Sequence, residues 1–121
     1  MIAKCYESWL LEMWNGDFGL AHDLVTPDFV GHWPDLDVHG AAELIRILEQ
    51  GHAPFEDVRV TLDVGPIVQG DLVAARWTFA ALFRRRHVSF SGHDILRAAG
   101  DGRFAEYWVV SDALGLERQL V

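Results

Sequence analysis

The sequence predicts an α+β domain, with helices first and a curved antiparallel sheet after them. Three observations carry this reading. Apolar residues recur at helical spacing through residues 2–15 and again from Ala41 to Leu48. From Val58 onward the period drops to two, which is the signature of a half-buried strand. Turn signals at Gly70-Asp71 and Ala99-Gly100-Asp101-Gly102 then cut the second half into strands joined as hairpins. Helices followed by a run of strands give two layers, the helices on one face of the sheet.

Each element has its own signal. Ile2, Tyr6, Trp9, Leu10, Met13 and Trp14 form the stripe of an amphipathic helix that ends at Asn15-Gly16. Asp17 is placed to cap a second short helix running to Val25. Thr26-Pro27 stops it, because proline disfavours the helical conformation in the residue before it. Phe29 to Trp33 reads as a short strand, and Ala41, Leu44, Ile45 and Leu48 mark a third helix closing near Gly51. Strands follow at Val58–Val64, Leu72–Phe83, His87–Ala98 and Phe104–Ser111, with Arg84-Arg85 at the middle connection and a short tail from Asp112. The later strands are apolar on both parities, as in Trp77-Thr78-Phe79-Ala80-Ala81-Leu82-Phe83. A sheet buried on both faces needs a second cover, and a partner subunit is the economical one.

Composition removes whole classes of function. The chain has 121 residues, half of them hydrophobic, and 10 Lys+Arg against 18 Asp+Glu give a formal charge of −8. That length predicts one domain over residues 1–121, large enough to bury roughly two thirds of its unfolded surface. The acidic balance argues against binding a phosphate backbone. A single cysteine, Cys5, excludes a disulfide framework and a Cys-rich zinc module. No apolar run approaches the roughly 20 residues of a membrane span. The N-terminus lacks the apolar stretch of a signal peptide, so a cytoplasmic protein is expected. Among the six His there is no helical pair spaced for metal and no His-x-His on a strand, so no metal is expected.

Several segments carry a resemblance. They are Trp14-Asn15-Gly16-Asp17, Thr26-Pro27-Asp28-Phe29-Val30, Phe90-Ser91-Gly92-His93-Asp94-Ile95-Leu96-Arg97, Asp101-Gly102-Arg103-Phe104-Ala105-Glu106-Tyr107-Trp108, then Asp112 and Gln119-Leu120. In this order and spacing the chain resembles the SnoaL-like polyketide cyclase family, within the larger cone-shaped nuclear-transport-factor-like fold. The resemblance implies a pocket between about three N-terminal helices and a concave sheet, a hydrophobic small-molecule ligand, no cofactor, and a homodimer formed through the other sheet face. Family enzymes close polyketide rings by an intramolecular aldol step; relatives isomerise steroids, act on epoxides, hydroxylate or only bind. The family also implies an acid/base Asp on the last strand, two residues after a pocket-facing His. Here those places hold Val109 and Tyr107, and on the preceding strand, where cyclases place another His, stands Asp94.

Strand geometry makes Asp94 the candidate base. If Gly100-Asp101 is the two-residue turn, Ala99 opposes Gly102 and Asp94 lies directly across from Tyr107, their Cβ atoms about 4.5–5.5 Å apart. Val109 shares that face by alternation, and the resemblance implies that it is the pocket face. A carboxylate beside a phenol in an apolar cavity can take a proton alpha to a carbonyl while the phenol stabilises the enolate. Ketosteroid isomerase, on this wider fold, works with an Asp base and a Tyr donor. Two matters stay open: the pair can equally be a buried structural one, and loop length brings either Arg76 or Trp77 opposite Asp94. Arg76 would pull the carboxyl down, whereas Trp77 would leave it free to rise. His32, after the first strand, is a candidate orienting group at the pocket mouth. Trp14, Trp33, Phe90 and Val109 are candidate walls for a flat ligand. The expected function is cofactor-independent cyclisation or isomerisation of a polyketide-like or polycyclic ketone. The alternative is a binding protein that has lost the acid/base Asp.

Overall fold

The computed structural model describes all 121 residues. Helix α1 (Ile2–Glu7) continues through Ser8–Met13 with π-helical hydrogen bonding, in which the Trp14 amide donates to the Trp9 carbonyl at 3.2 Å. Its stripe does what the spacing predicts: Tyr6, Trp9, Leu10 and Met13 are buried. A 3-10 turn at Phe18–Leu20 leads into α2 (Ala21–Leu24). Asp17 makes no side-chain cap there, and Val25 is already extended. Strands β1 (Val25–His32) and β2 (Asp37–His39) precede α3 (Gly40–His52). Helix α3 buries Leu44 and Leu48, and Glu43 Oε1 accepts the His39 amide at 2.9 Å. The long strands β3 (Glu56–Gln69), β4 (Leu72–Phe83), β5 (Arg86–Ala98) and β6 (Phe104–Ser111) follow, and α4 (Ala113–Gln119) closes the chain.

The fold class is the predicted α+β, with a curved, unclosed six-stranded sheet in the order β2-β1-β6-β5-β4-β3. Two features differ from the expectation. The sheet is mixed rather than antiparallel throughout, because β1 runs parallel to β6. Residues after Asp112 form α4 rather than a tail: the Asp112 carboxylate caps the helix by accepting the Gly115 amide at 2.8 Å. Gln119 fixes its far end, accepting the Ser89 amide at 2.9 Å and donating to the Ser89 carbonyl at 2.7 Å.

Strand register decides which side chains β4, β5 and β6 bring together on the inner face. The β4–β5 turn is two residues, Arg84-Arg85, both with positive φ of 49° and 69°. That conformation matches strand twist and normally selects Asn or Gly. Phe83 therefore pairs with Arg86, and Asp94 faces Ala75, neither Arg76 nor Trp77. Arg76 turns outward, its Nη1 2.9 Å from His93 Nε2. At the β5–β6 end the Ala99 amide donates to the Arg103 carbonyl at 2.7 Å, so the turn is one residue longer than Gly100-Asp101. An irregularity between Arg97 and Ala98, where Ala98 pairs with Phe104 but Arg97 with Glu106, adds a second residue. Asp94 consequently pairs with Val109, and Tyr107 with Leu96, correcting the predicted Asp94–Tyr107 pair. A slip of two residues conserves the side-chain face, so Asp94, Tyr107 and Val109 still point to the inner side.

The inner face carries the core. Trp9 is its centre, with ring centroids 4.9 Å from Tyr107, 5.8 Å from Phe104 and 6.0 Å from Phe29. Asn15 ties α1 to the sheet: its Oδ1 accepts the Val60 amide at 2.7 Å, and its Nδ2 donates to the Val60 carbonyl at 3.0 Å. No helix is long and apolar enough to cross a membrane.

Candidate functional site: an apolar cavity around Asp94

Helices and concave sheet do not close completely on each other. They leave a cavity of about 230 Å³ whose walls are largely apolar and aromatic. From the sheet come Trp77, Phe79, Phe90, Asp94, Tyr107 and Val109; from the helical side come Leu10, Trp14, Ile47, His52 and Leu116. Trp33 closes one side by folding back on β1, its ring edge-on to Tyr107 at 5.2 Å. That fold-back requires glycine at position 31, where a Cβ would stand 2.7 Å from the Trp33 ring. The pairing of β4 with β5 has the same requirement: a Cβ on Gly92 would collide with the indole of its partner Trp77. Phe79 stacks on Phe90 at 4.9 Å, and Trp77 meets Phe90 edge-on at 5.8 Å.

Asp94 is the one carboxylate in this lining, and it is 2 % exposed. Tyr6 donates its phenolic hydrogen to Asp94 Oδ1 at 2.8 Å, while Oδ2 is buried with no partner. Burial raises the Asp94 carboxyl to about 7, because a charge there loses its hydration. The Tyr6 hydrogen bond pulls the other way, as does the nearby Trp77 indole N–H, although that N–H stands outside hydrogen-bond geometry. Burial and the Asp94 charge together push both phenols, Tyr6 and Tyr107, well above their ordinary range. Each tyrosine therefore keeps its proton and is available as a donor. The arrangement is a desolvated carboxyl that changes charge near neutrality, held between proton donors in a water-poor space.

The structure brings six of the seven candidates together: Asp94, Tyr107, Trp14, Trp33, Phe90 and Val109 all line the cavity. His32 stands elsewhere. It is on the outer face of the sheet, stacked on Trp108 at 5.6 Å, with Nε2 2.7 Å from Glu106 Oε2 and Nδ1 2.9 Å from Asp37 Oδ1. The Glu106 and Asp37 carboxylates hold the imidazole above its ordinary range, and Arg97 with His32 holds Glu106 below its own. With Arg97 bound to Glu106, this side-chain chain spans four successive strands, β2-β1-β6-β5. Sequence reasoning missed Tyr6 and His52. Tyr6 was visible only as one member of the helical stripe, since its hydroxyl meets a carboxylate 88 residues away. His52 had no signal; its ring nitrogens lie 2.8 Å from the Leu48 carbonyl and 2.7 Å from the Trp14 carbonyl. No group of three or more His, Cys, Asp or Glu is gathered to hold a metal ion.

Known proteins share this architecture. TsrD from Streptomyces laurentii is 28% identical, with 97% of this chain and 92% of that one covered and a TM-score of 0.83. A loop-truncation variant of IdmH is 23% identical over the whole of both chains, with a TM-score of 0.86. A protein with a ketosteroid isomerase-like fold from Catenulispora acidiphila, crystallised with trimethylamine, is 16% identical over 96% and 91% of the two chains, with a TM-score of 0.82. At such identities the last two speak for the fold alone. No curated protein matches the chain by sequence. The family model described as SnoaL-like polyketide cyclase matches residues 4–120, from the first turn of α1 to the end of α4. With sequence and cavity-forming fold in agreement over that whole span, the chain belongs to the SnoaL-like polyketide cyclase family.

Proposed function

We propose that this protein catalyses cofactor-independent acid/base chemistry on a ketone, as an aldol cyclisation or an isomerisation. One observation carries the reading: a carboxyl whose ionised form burial disfavours lines an apolar cavity of about 230 Å³. Ionised Asp94 removes a proton from the carbon alpha to the carbonyl, and the Tyr107 hydroxyl donates to the oxygen on which charge develops. Tyr6 orients the carboxyl group through Oδ1, which leaves Oδ2 for the substrate. The enolate then attacks an internal carbonyl, closing a ring, or recovers the proton at another carbon. His32, lying outside the cavity, takes no part in this scheme.

The test is deuterium incorporation at the alpha carbon, followed by NMR in heavy water for ketones of one to four rings. Exchange above the buffer rate is expected for at least one ketone, rising with pH to half its limit near 7. Asp94→Asn should lower it at least 100-fold. A second reading has its own observation. Val109, with no proton to move, pairs with Asp94, at the place where the resemblance implies an acid/base Asp. On that reading the protein binds its ligand without transforming it, and tight ligand binding without exchange of any ketone would establish it. We further propose a homodimer through the outer sheet face, where Ile95, Trp108 and Val110 are exposed.

A further inference from the structure

The size and charge of the cavity restrict its occupant more than the chemistry does. A dry cavity of about 150 Å³ takes a single benzene ring. At about 230 Å³, this one is about half as large again, which is the increment of one fused ring. Its walls are rich in rings, with Phe79 stacked on Phe90 at 4.9 Å and Trp33 edge-to-face with Tyr107 at 5.2 Å, a lining that suits a flat aromatic ligand.

Charge complementarity is equally restrictive. The lining holds no Lys or Arg. Its one basic side chain, His52, has both ring nitrogens directed at the backbone carbonyls of Leu48 and Trp14, so neither is offered to a ligand. The unpartnered Asp94 Oδ2 is an acceptor and repels an anion. A ligand carboxylate or phosphate would therefore lose its hydration with no Lys or Arg to pair with it and no His52 nitrogen free to reach it.

We infer that the cavity selects neutral, flat, two-ring ketones and their enol or phenol forms, with the ligand hydroxyl donating to Asp94 Oδ2, and excludes three-ring and anionic homologues. This rests on the reading of the cavity as the substrate site. It narrows the polycyclic class to its smallest members.

Calorimetric titration of the intact protein at pH 8 tests it with three probes: naphthalen-2-ol, anthracen-2-ol and naphthalene-2-carboxylate. Naphthalen-2-ol is expected to bind at least tenfold more tightly than either of the others. Saturation transfer from its ring protons should reach the Trp33 and Trp77 indoles. Val109→Phe, which fills the cavity, should abolish binding, with the urea midpoint reporting that the variant is folded. Equal or tighter binding of anthracen-2-ol or of the carboxylate overturns the inference, as does failure of naphthalen-2-ol to bind or to contact those indoles. The two readings separate cleanly. Naphthalen-2-ol binding in a protein that exchanges no ketone leaves the ligand class standing and removes the chemistry. Ketone exchange confined to three- and four-ring substrates retains the chemistry and removes this ligand class.

Discussion

Asp94 ties the proposed chemistry to a measurable cost in stability. In the unfolded chain the carboxyl ionises at its ordinary 3.8, and in the folded protein at about 7. Below pH 3.8 it is protonated in both states and contributes nothing. As pH rises from 4 to 7 the unfolded chain releases the proton first, so the folded state is progressively disfavoured, by about 4 kcal/mol once above 7. Asp94→Asn removes the titration and keeps an oxygen to accept from Tyr6. It should be more stable than the wild type by several kcal/mol at pH 8 and nearly equal at pH 4, as read from urea midpoints. The same residue shows what sequence can reveal. Its inner face was legible because alternation along β5 and β6 survives an even change of register. Its neighbours were not. The Asp94–Val109 pair depends on one extra turn residue and one irregularity beside Ala98, and the Ala75 partner on two arginines accepting left-handed backbone. Neither has a local marker. The Tyr6 hydroxyl was invisible for a different reason: helical spacing gives a side chain's face but not which strand it meets.

At the scale of elements, α4 is a cover on the cavity. Leu116 contributes to the wall, and the helix is held at its start by the Asp112 cap and at its end by the Gln119–Ser89 clasp. Losing the cap costs about 1 kcal/mol of helix stability. Asp112→Ala combined with Gln119→Ala should therefore loosen α4 while sparing the core. Hydrogen exchange at the Gly115 amide should accelerate at least tenfold, and bound ligand should dissociate faster, with the global urea midpoint shifted only slightly. This helix was partly legible: Asp112 is a good capping residue, but Gly115 in the first turn weakens helical propensity enough to read as a tail. Strand β1 shows the opposite limit. Pro27 correctly predicted the end of α2, yet it lies inside a strand, because its missing N–H coincides with the irregular stretch between Val25 and Val30. Strand β2 has three residues, too few for a period to show.

For the whole molecule, the sheet has one face committed to core and cavity and one left open. Ile95 is 44 % and Val110 68 % exposed on the open face, with Trp108 between them, and Ile67 adds to the apolar area farther along the sheet. If a second copy covers this face, light scattering at micromolar concentration should give twice the mass of one chain, and Val110→Glu should return it to the monomer by placing like charges together. Such an assembly seals a face of the sheet and does nothing for its rims. At the β3 rim Asn15 takes up that task. Its side-chain amide presents one donor and one acceptor to Val60, as the backbone of a neighbouring strand would. An incoming strand finds those two groups already occupied, which discourages growth of the sheet from chain to chain. One residue of the Trp14-Asn15-Gly16-Asp17 segment thus works against aggregation, a duty independent of any ligand the cavity holds.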